Sequence, residues 1–150
     1  MRITELDLQI EDLEWYAIDE NNNIAFFTSG GMGNVPEFIC KSREDLNIVS
    51  KYFDLSDNNF AEAEVVKGAF DDYPNDEFKN DCINVSEKGL FCYDVSDEDE
   101  HENEYKLLCR PNNMLKLGDL PEEIQKIIKQ YKLDSVSFVD KEYVNVINAY

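Results

Sequence analysis

Histidine and closely paired cysteines are scarce in this chain of 150 residues. The only histidine is His101, and none of the four cysteines stands in a Cys-x-x-Cys pair. A cysteine nucleophile needs a base such as histidine, and structural zinc sites are built from closely spaced cysteines and histidines. The sequence therefore argues against thiol catalysis and against a zinc centre. We expect no catalytic residue, no metal ligand and no bound cofactor.

Glycine-containing motifs for phosphate or calcium are also missing. Gly30-Gly31-Met32-Gly33 is followed by Asn34, without the Gly-Lys-Ser/Thr ending of a phosphate-binding loop. The acidic segment Asp94–Glu104 holds seven carboxylates but no glycine, which an EF-hand calcium loop requires. We therefore expect a sharp turn at residues 30–33 and no calcium site in the acidic segment.

Long apolar runs are absent. No aliphatic and aromatic run exceeds four residues, as at Ile24–Phe27, and the first residues of the chain include several charges. This pattern predicts neither a signal peptide nor a membrane span, so the expected location is the cytoplasm. The four cysteines are then expected to be reduced and buried. A Cys92–Cys109 disulfide is the alternative, because both residues lie on strands predicted to pair.

Positive charge is scarce where negative charge is dense. The formal net charge is −19, and residues 54–104 hold 17 carboxylates and three lysines, which accounts for 14 of those charges. Affinity for nucleic acid comes largely from phosphate contacts, and no lysine or arginine cluster offsets this field. We therefore expect a basic protein as partner, and neither nucleic acid nor a membrane. A merely solvated hairpin loop is the other interpretation of residues 94–104, with His101 as a solvated side chain. The candidate partner-binding residues are Asp71, Asp72, Asp94, Asp97, Glu98, Asp99, Glu100, Glu102 and Glu104.

Two β-hairpins are predicted from runs rich in aromatic and β-branched residues. Trp15–Ile18 and Ile24–Thr28 flank an Asp/Asn-rich loop, and Gly89–Val95 and Tyr105–Arg110 flank the acidic segment. Large aromatic side chains on a hairpin are usually core, so we expect Trp15 to be buried rather than to form a ligand platform.

Helices are predicted where apolar residues recur at helical spacing. Ser42 can cap a helix over Arg43–Tyr52, and the Asp45 side chain can accept a hydrogen bond from the Ser42 N–H in return, as in a capping box. Pro121 opens a second helix. Alternation over Asp134–Val139 predicts a strand. Residues 54–88 are undecided between a short helix over Phe60–Phe70 and a strand at residues 63–66. These elements predict one α+β domain over residues 1–150, with a mainly antiparallel sheet built from hairpins and two to four helices.

Four stretches resemble the small immunity proteins of bacterial polymorphic toxin systems. They are Trp15–Gly31, Val35–Glu37, Lys88–Asp94 and Leu120–Ile124. The resemblance implies a cytosolic, non-enzymatic inhibitor that binds one cognate toxin domain and blocks its active or substrate-binding surface. It assigns no individual site residue. The alternative is an acidic DNA mimic or regulatory protein that binds a host nucleic-acid-binding protein, and an enzyme that uses carboxylates is a third class.

Overall fold

The computed structural model describes all residues from 1 to 150 and contains a six-stranded mixed sheet with helices. The strand order is β1-β2-β4-β5-β3, and β6 pairs with another part of β5. The strands are β1 (Glu14–Ile18), β2 (Ile24–Thr28), β3 (Ala63–Val65), β4 (Phe91–Val95), β5 (Tyr105–Pro111) and β6 (Tyr143–Val144). The α-helices are α1 (Glu5–Ile10), α2 (Glu37–Cys40), α3 (Arg43–Leu55), α4 (Glu77–Glu87) and α5 (Glu122–Ile128).

Both predicted hairpins form, and a single parallel pairing joins them. β1 pairs antiparallel with β2, and β4 pairs antiparallel with β5. β2 and β4 run parallel, with Ala25 opposite Phe91 and Thr28 opposite Asp94. Every other pairing between two of these strands is antiparallel, so the predicted α+β class and the mainly antiparallel sheet are confirmed. There are five α-helices where two to four are expected, and two of them, α1 and α2, have only six and four residues.

All five residues of β2 are buried, so the core lies on both faces of that strand. Trp15 is fully buried and stacks on Phe27, with ring centroids 4.1 Å apart, and Phe27 stacks in turn on Tyr93. The indole N–H of Trp15 donates to the Tyr105 hydroxyl at 3.2 Å. Trp15 is thus a core residue, as the sequence predicts.

Helix α3 begins where the sequence predicts and runs three residues further. The Ser42 hydroxyl accepts a hydrogen bond from the Asp45 N–H at 3.1 Å, which satisfies one of the free amides of the first turn. The expected second hydrogen bond, from the Ser42 N–H to the Asp45 side chain, does not form. Pro121 precedes the first residue of α5, in an extended conformation, and so marks that helix start as predicted.

The undecided region contains a strand and a helix. Residues 63–65 form edge strand β3 against β5, so the short helix over Phe60–Phe70 is wrong. Helix α4 was not predicted. Its apolar residues Phe78, Cys82 and Val85 have helical spacing, but the intervening residues are polar, so the apolar stripe is narrow.

The predicted strand over Asp134–Val139 is also wrong. Ser135 has φ of 57°, in the left-handed region, and the segment turns instead of extending. Phe138 is fully buried and Val136 packs against the core cluster, as the alternation predicts. Ser137 between them is also buried and Val139 is exposed, so the alternation does not describe the burial of the whole segment.

The segment is held in place by the buried carboxylate of Asp19. Oδ2 of Asp19 accepts from the Phe138 N–H at 2.8 Å, and Oδ1 accepts from the N–H groups of Asn21 and Asn23 at 3.0 and 2.9 Å. One side chain therefore closes the β1–β2 loop and fixes the chain after α5. Buried carboxylates are tolerated when backbone donors satisfy them in this way.

Candidate functional site

One face of the sheet carries two adjoining acidic cavities. Residues that stand opposite one another on neighbouring strands point to the same face. Thr28 on β2, Asp94 on β4 and Lys106 on β5 stand in such a row, and all three side chains line these cavities. The row of cross-strand partners thus places the acidic third of the chain beside the first hairpin.

The first cavity, here named the loop cleft, has a volume of about 300 Å³ and brings together four of the predicted partner-binding residues. Lys106 is the only cation in its lining, and its Nζ lies 3.6 Å from Oε1 of Glu98. The carboxylates therefore outnumber the cations four to one. The lining residues are Gly30, Met32, Ala69, Asp72, Tyr73, Asp94, Val95, Ser96, Asp97, Glu98, Lys106 and Leu108.

Asp94 lies at the start of the acidic segment and within the strand predicted over Gly89–Val95. It belongs to strand β4 and is half-buried. Its two carboxylate oxygens accept hydrogen bonds from the Thr28 and Tyr73 hydroxyls, each at 2.5 Å. Burial raises the pKa of the Asp94 carboxyl above its ordinary value, although both hydroxyl bonds act in the opposite direction. Asp94 is therefore a fixed part of the cleft wall.

The acidic loop is held against the β6 region by an aromatic contact, although Asp97, Glu98, Asp99, Glu100 and Glu102 are exposed. The expectation that His101 is a solvated side chain is wrong. The His101 ring stacks on Tyr143, with centroids 3.6 Å apart, and lies half-buried rather than free in solvent. The Tyr143 hydroxyl donates to Glu98 Oε2 at 2.7 Å, and Nδ1 of His101 lies 3.6 Å from Glu104 Oε1. The loop is anchored to the strand β6 region.

The remaining predicted carboxylates do not join the cleft. Asp71, Asp99, Glu100 and Glu102 are exposed and line none of the larger cavities, while Glu104 is half-buried beside His101. These residues were predicted from charge density alone. The structure separates them from the four carboxylates that line the loop cleft.

The second cavity, here named the aromatic groove, was missed by sequence reasoning. It has a volume of about 320 Å³ and lies between α3, α4 and the first hairpin. Its four carboxylates belong to three different parts of the chain and carry no local motif, so no sequence signal could have grouped them. The lining residues are Asp12, Glu14, Tyr16, Phe26, Thr28, Phe53, Asp54, Phe78, Asp81, Cys82, Asn84, Val85, Lys88 and Leu90.

The carboxylates that line the aromatic groove repel one another. The pKa of the Glu14 carboxyl is raised, first by burial and then by the nearby charges of Asp54, Asp12 and Asp81. The one cation in the lining, Lys88, is only 9% exposed and donates from Nζ to the Phe53 carbonyl at 2.5 Å. That carbonyl belongs to the last turn of α3, where cations stabilise the helix end.

The cysteines belong to the buried core, and Cys82 also lines the aromatic groove. All four are buried and not bonded to one another. Burial raises the pKa of the Cys40 thiol to about 11 and that of Cys109 to about 12, and the pKa of Cys92 is raised in the same way. Raised thiol pKa values disfavour the thiolate, which is the reactive form.

No three side chains of histidine, cysteine, aspartate or glutamate are arranged to hold a metal ion. None of the helices has both the length and the apolar character needed to cross a lipid bilayer.

Comparison of this chain with family models, with curated proteins and with solved structures gave no match. Its function is therefore argued from its own residues.

Proposed function

We propose that this protein is a cytosolic immunity protein that binds a basic, nuclease-type toxin domain and covers its active or substrate-binding surface. The observation that carries the proposal is the convergence of Asp72, Asp94, Asp97 and Glu98 on the loop cleft. The single cation there, Lys106, is already beside Glu98. A basic partner supplies the positive charges that this surface lacks.

The charge distribution favours fast association with such a partner. The net charge is −19, and 14 of those charges fall within residues 54–104. Electrostatic steering raises association rates by roughly ten- to a thousand-fold at low salt, and the gain falls as salt screens the field. An inhibitor that must capture a toxin before it reaches nucleic acid benefits from this rate.

The cleft wall is suited to competing with phosphate for a cationic surface. A nuclease domain must present cations to the nucleic-acid backbone. Asp94 is held by Thr28 and Tyr73 before any partner arrives, so its oxygens need little further ordering on binding. Neutralisation by occlusion requires no reaction from the inhibitor.

The proposal is tested by co-expression with candidate basic toxin domains encoded in the source genome. We expect rescue of growth with one cognate toxin and recovery of a stable complex with it. Recovery of a host nucleic-acid-binding protein instead, without rescue from any toxin, contradicts the proposal and favours an acidic regulatory protein.

A matched pair of variants tests whether the loop cleft is the contact surface. The double variant Asp72→Asn/Asp97→Asn changes two cleft carboxylates and leaves Glu98, which anchors the loop through Tyr143, in place. We expect it to speed dissociation of the complex about tenfold or more, because contacts inside an interface act mainly on the dissociation rate.

The control variant Asp99→Asn/Glu102→Gln removes the same charge from exposed residues outside the cleft. We expect it to slow association modestly at low salt and to leave dissociation unchanged. Equal dissociation rates for the two double variants contradict a contact at the cleft.

A further inference from the structure

We propose that the aromatic groove receives an arginine side chain from the basic partner, an inference that rests on the proposed function and extends its interface across the same sheet face. The groove shares Thr28 with the hydrogen-bond network of Asp94, which lines the loop cleft. Tyr73 on the loop-cleft side stacks on Phe78 on the groove side, with ring centroids 5.4 Å apart. A partner that covers the loop cleft therefore also lies next to the aromatic groove.

The inner part of the groove suits the apolar stem and the flat head of arginine. Tyr16 stacks on Phe53 with centroids 4.9 Å apart and lies against Phe26 at 5.4 Å, and these three buried rings form the floor of the groove. Phe78 is the half-buried ring of the lining and presents the aromatic surface for a guanidinium. Guanidinium groups stack on aromatic faces, and the three methylenes of the stem gain from apolar contact.

The rim of the groove lacks a cation. Asp12, Glu14, Asp54 and Asp81 line it, and their mutual repulsion contributes to the raised pKa of Glu14. Lys88 is the one cation in the lining and its ammonium donates to the Phe53 carbonyl, so the four carboxylates keep an excess of three negative charges. A cation placed among the four carboxylates relieves the repulsion, so charge complementarity selects a positive occupant.

Arginine fits this combination better than lysine. Its guanidinium is planar, more weakly hydrated than an ammonium, and able to form paired hydrogen bonds with a carboxylate. A lysine ammonium is a strongly hydrated point charge and gains less from an aromatic wall. The groove therefore discriminates between the two basic side chains.

The inference is tested on the isolated protein by NMR titration with N-acetyl-arginine amide, and with N-acetyl-lysine amide for comparison, at low salt. We expect saturable shifts at groove residues, with a dissociation constant on the order of 1 mM for a ligand of this size. We expect the lysine compound to bind at least about threefold more weakly.

Two variants of equal charge change complete the test. Glu14→Gln/Asp54→Asn alters the groove, and Asp134→Asn/Asp140→Asn alters exposed carboxylates that line neither cavity. We expect the groove variant to weaken arginine binding at least about fivefold and the control to retain it, with both variants giving native spectra.

The absence of saturable shifts in the groove, or equal weakening in both variants, overturns the inference. This outcome is separate from a failure of the proposed function, because the titration needs no toxin. Conversely, a confirmed toxin complex that the groove variant forms with unchanged affinity overturns the inference and leaves the proposed function standing.

Discussion

Replacement of Asp19 is expected to destabilise the fold in a graded way. Its carboxylate accepts three backbone N–H bonds, from Asn21, Asn23 and Phe138. Asn21 is exposed, so water can replace its bond, whereas Asn23 and Phe138 are buried. Each buried N–H left without a partner costs about 1–3 kcal/mol, so we expect Asp19→Ala to lower the free energy of unfolding by about 2–6 kcal/mol.

Asp19→Asn is expected to fall between the alanine variant and the wild type. The asparagine oxygen can still accept from the N–H groups of Asn21 and Asn23. Its amide nitrogen then faces the Phe138 N–H, where two donors meet. One buried donor is left unsatisfied instead of two, for an expected loss of about 1–3 kcal/mol.

Urea denaturation followed by tryptophan fluorescence measures these losses, because Trp15 is the only tryptophan and is fully buried. Asp134→Ala is the control, since Asp134 is exposed in the same C-terminal segment, and we expect a change within about 0.5 kcal/mol. An Asp19→Ala loss below about 1 kcal/mol, or an asparagine variant less stable than the alanine variant, refutes the assigned role of the carboxylate.

Three further predictions concern Gly33, Asp94 and the cysteines. Gly33→Ala should lower the free energy of unfolding by about 1–3 kcal/mol in urea melts, because the added Cβ lies 2.6 Å from the Tyr105 hydroxyl oxygen; a neutral variant contradicts this packing. The pKa of Asp94 is raised in the folded state, so the folded protein binds the proton more tightly than the unfolded chain does. Protonation of Asp94 therefore contributes its full share of the free energy of unfolding below the unfolded-state pKa, and this contribution is lost as pH rises through the folded-state pKa. Melts from pH 4 to 7 should therefore show Asp94→Asn gaining stability relative to the wild type as pH rises, and a constant difference argues against the shift. The four cysteines should react with a thiol reagent only after unfolding, since burial raises the pKa of Cys40 and Cys109; mass spectrometry of freshly lysed cells that finds a native disulfide contradicts this.

The hairpins could be predicted because their signal is local. Runs rich in aromatic and β-branched residues and an Asp/Asn-rich loop specify Trp15–Thr28 within fourteen positions, and the structure pairs these strands in the expected way. The helix over Glu77–Glu87 lacks a wide apolar stripe, since it presents small and polar side chains such as Ser86 to the interior. Its burial comes from packing against β3, β4 and β5, and a local pattern of residues does not reveal these tertiary contacts.

The candidate site could be predicted only in part for the same reason. Charge density identified Asp72, Asp94, Asp97 and Glu98 among nine candidates, but their convergence depends on tertiary contacts such as the hydrogen bond from the Tyr73 hydroxyl to Asp94. The carboxylates of the aromatic groove range from Asp12 to Asp81, and tertiary packing alone brings them together.

The parallel pairing of β2 with β4 also has a kinetic consequence. Each hairpin closes a short stretch of chain, and isolated hairpins form in roughly 1–10 μs. Ala25 and Phe91 are partners across 66 positions of sequence, so their contact carries a larger loop-closure cost and slows folding. The Thr28–Asp94 bond, the loop cleft and the aromatic groove all depend on that contact. A newly synthesised chain therefore completes the loop cleft and the aromatic groove only when the longest-range strand pairing of its sheet has formed, so the topology of the sheet sets the delay before the proposed binding surface exists.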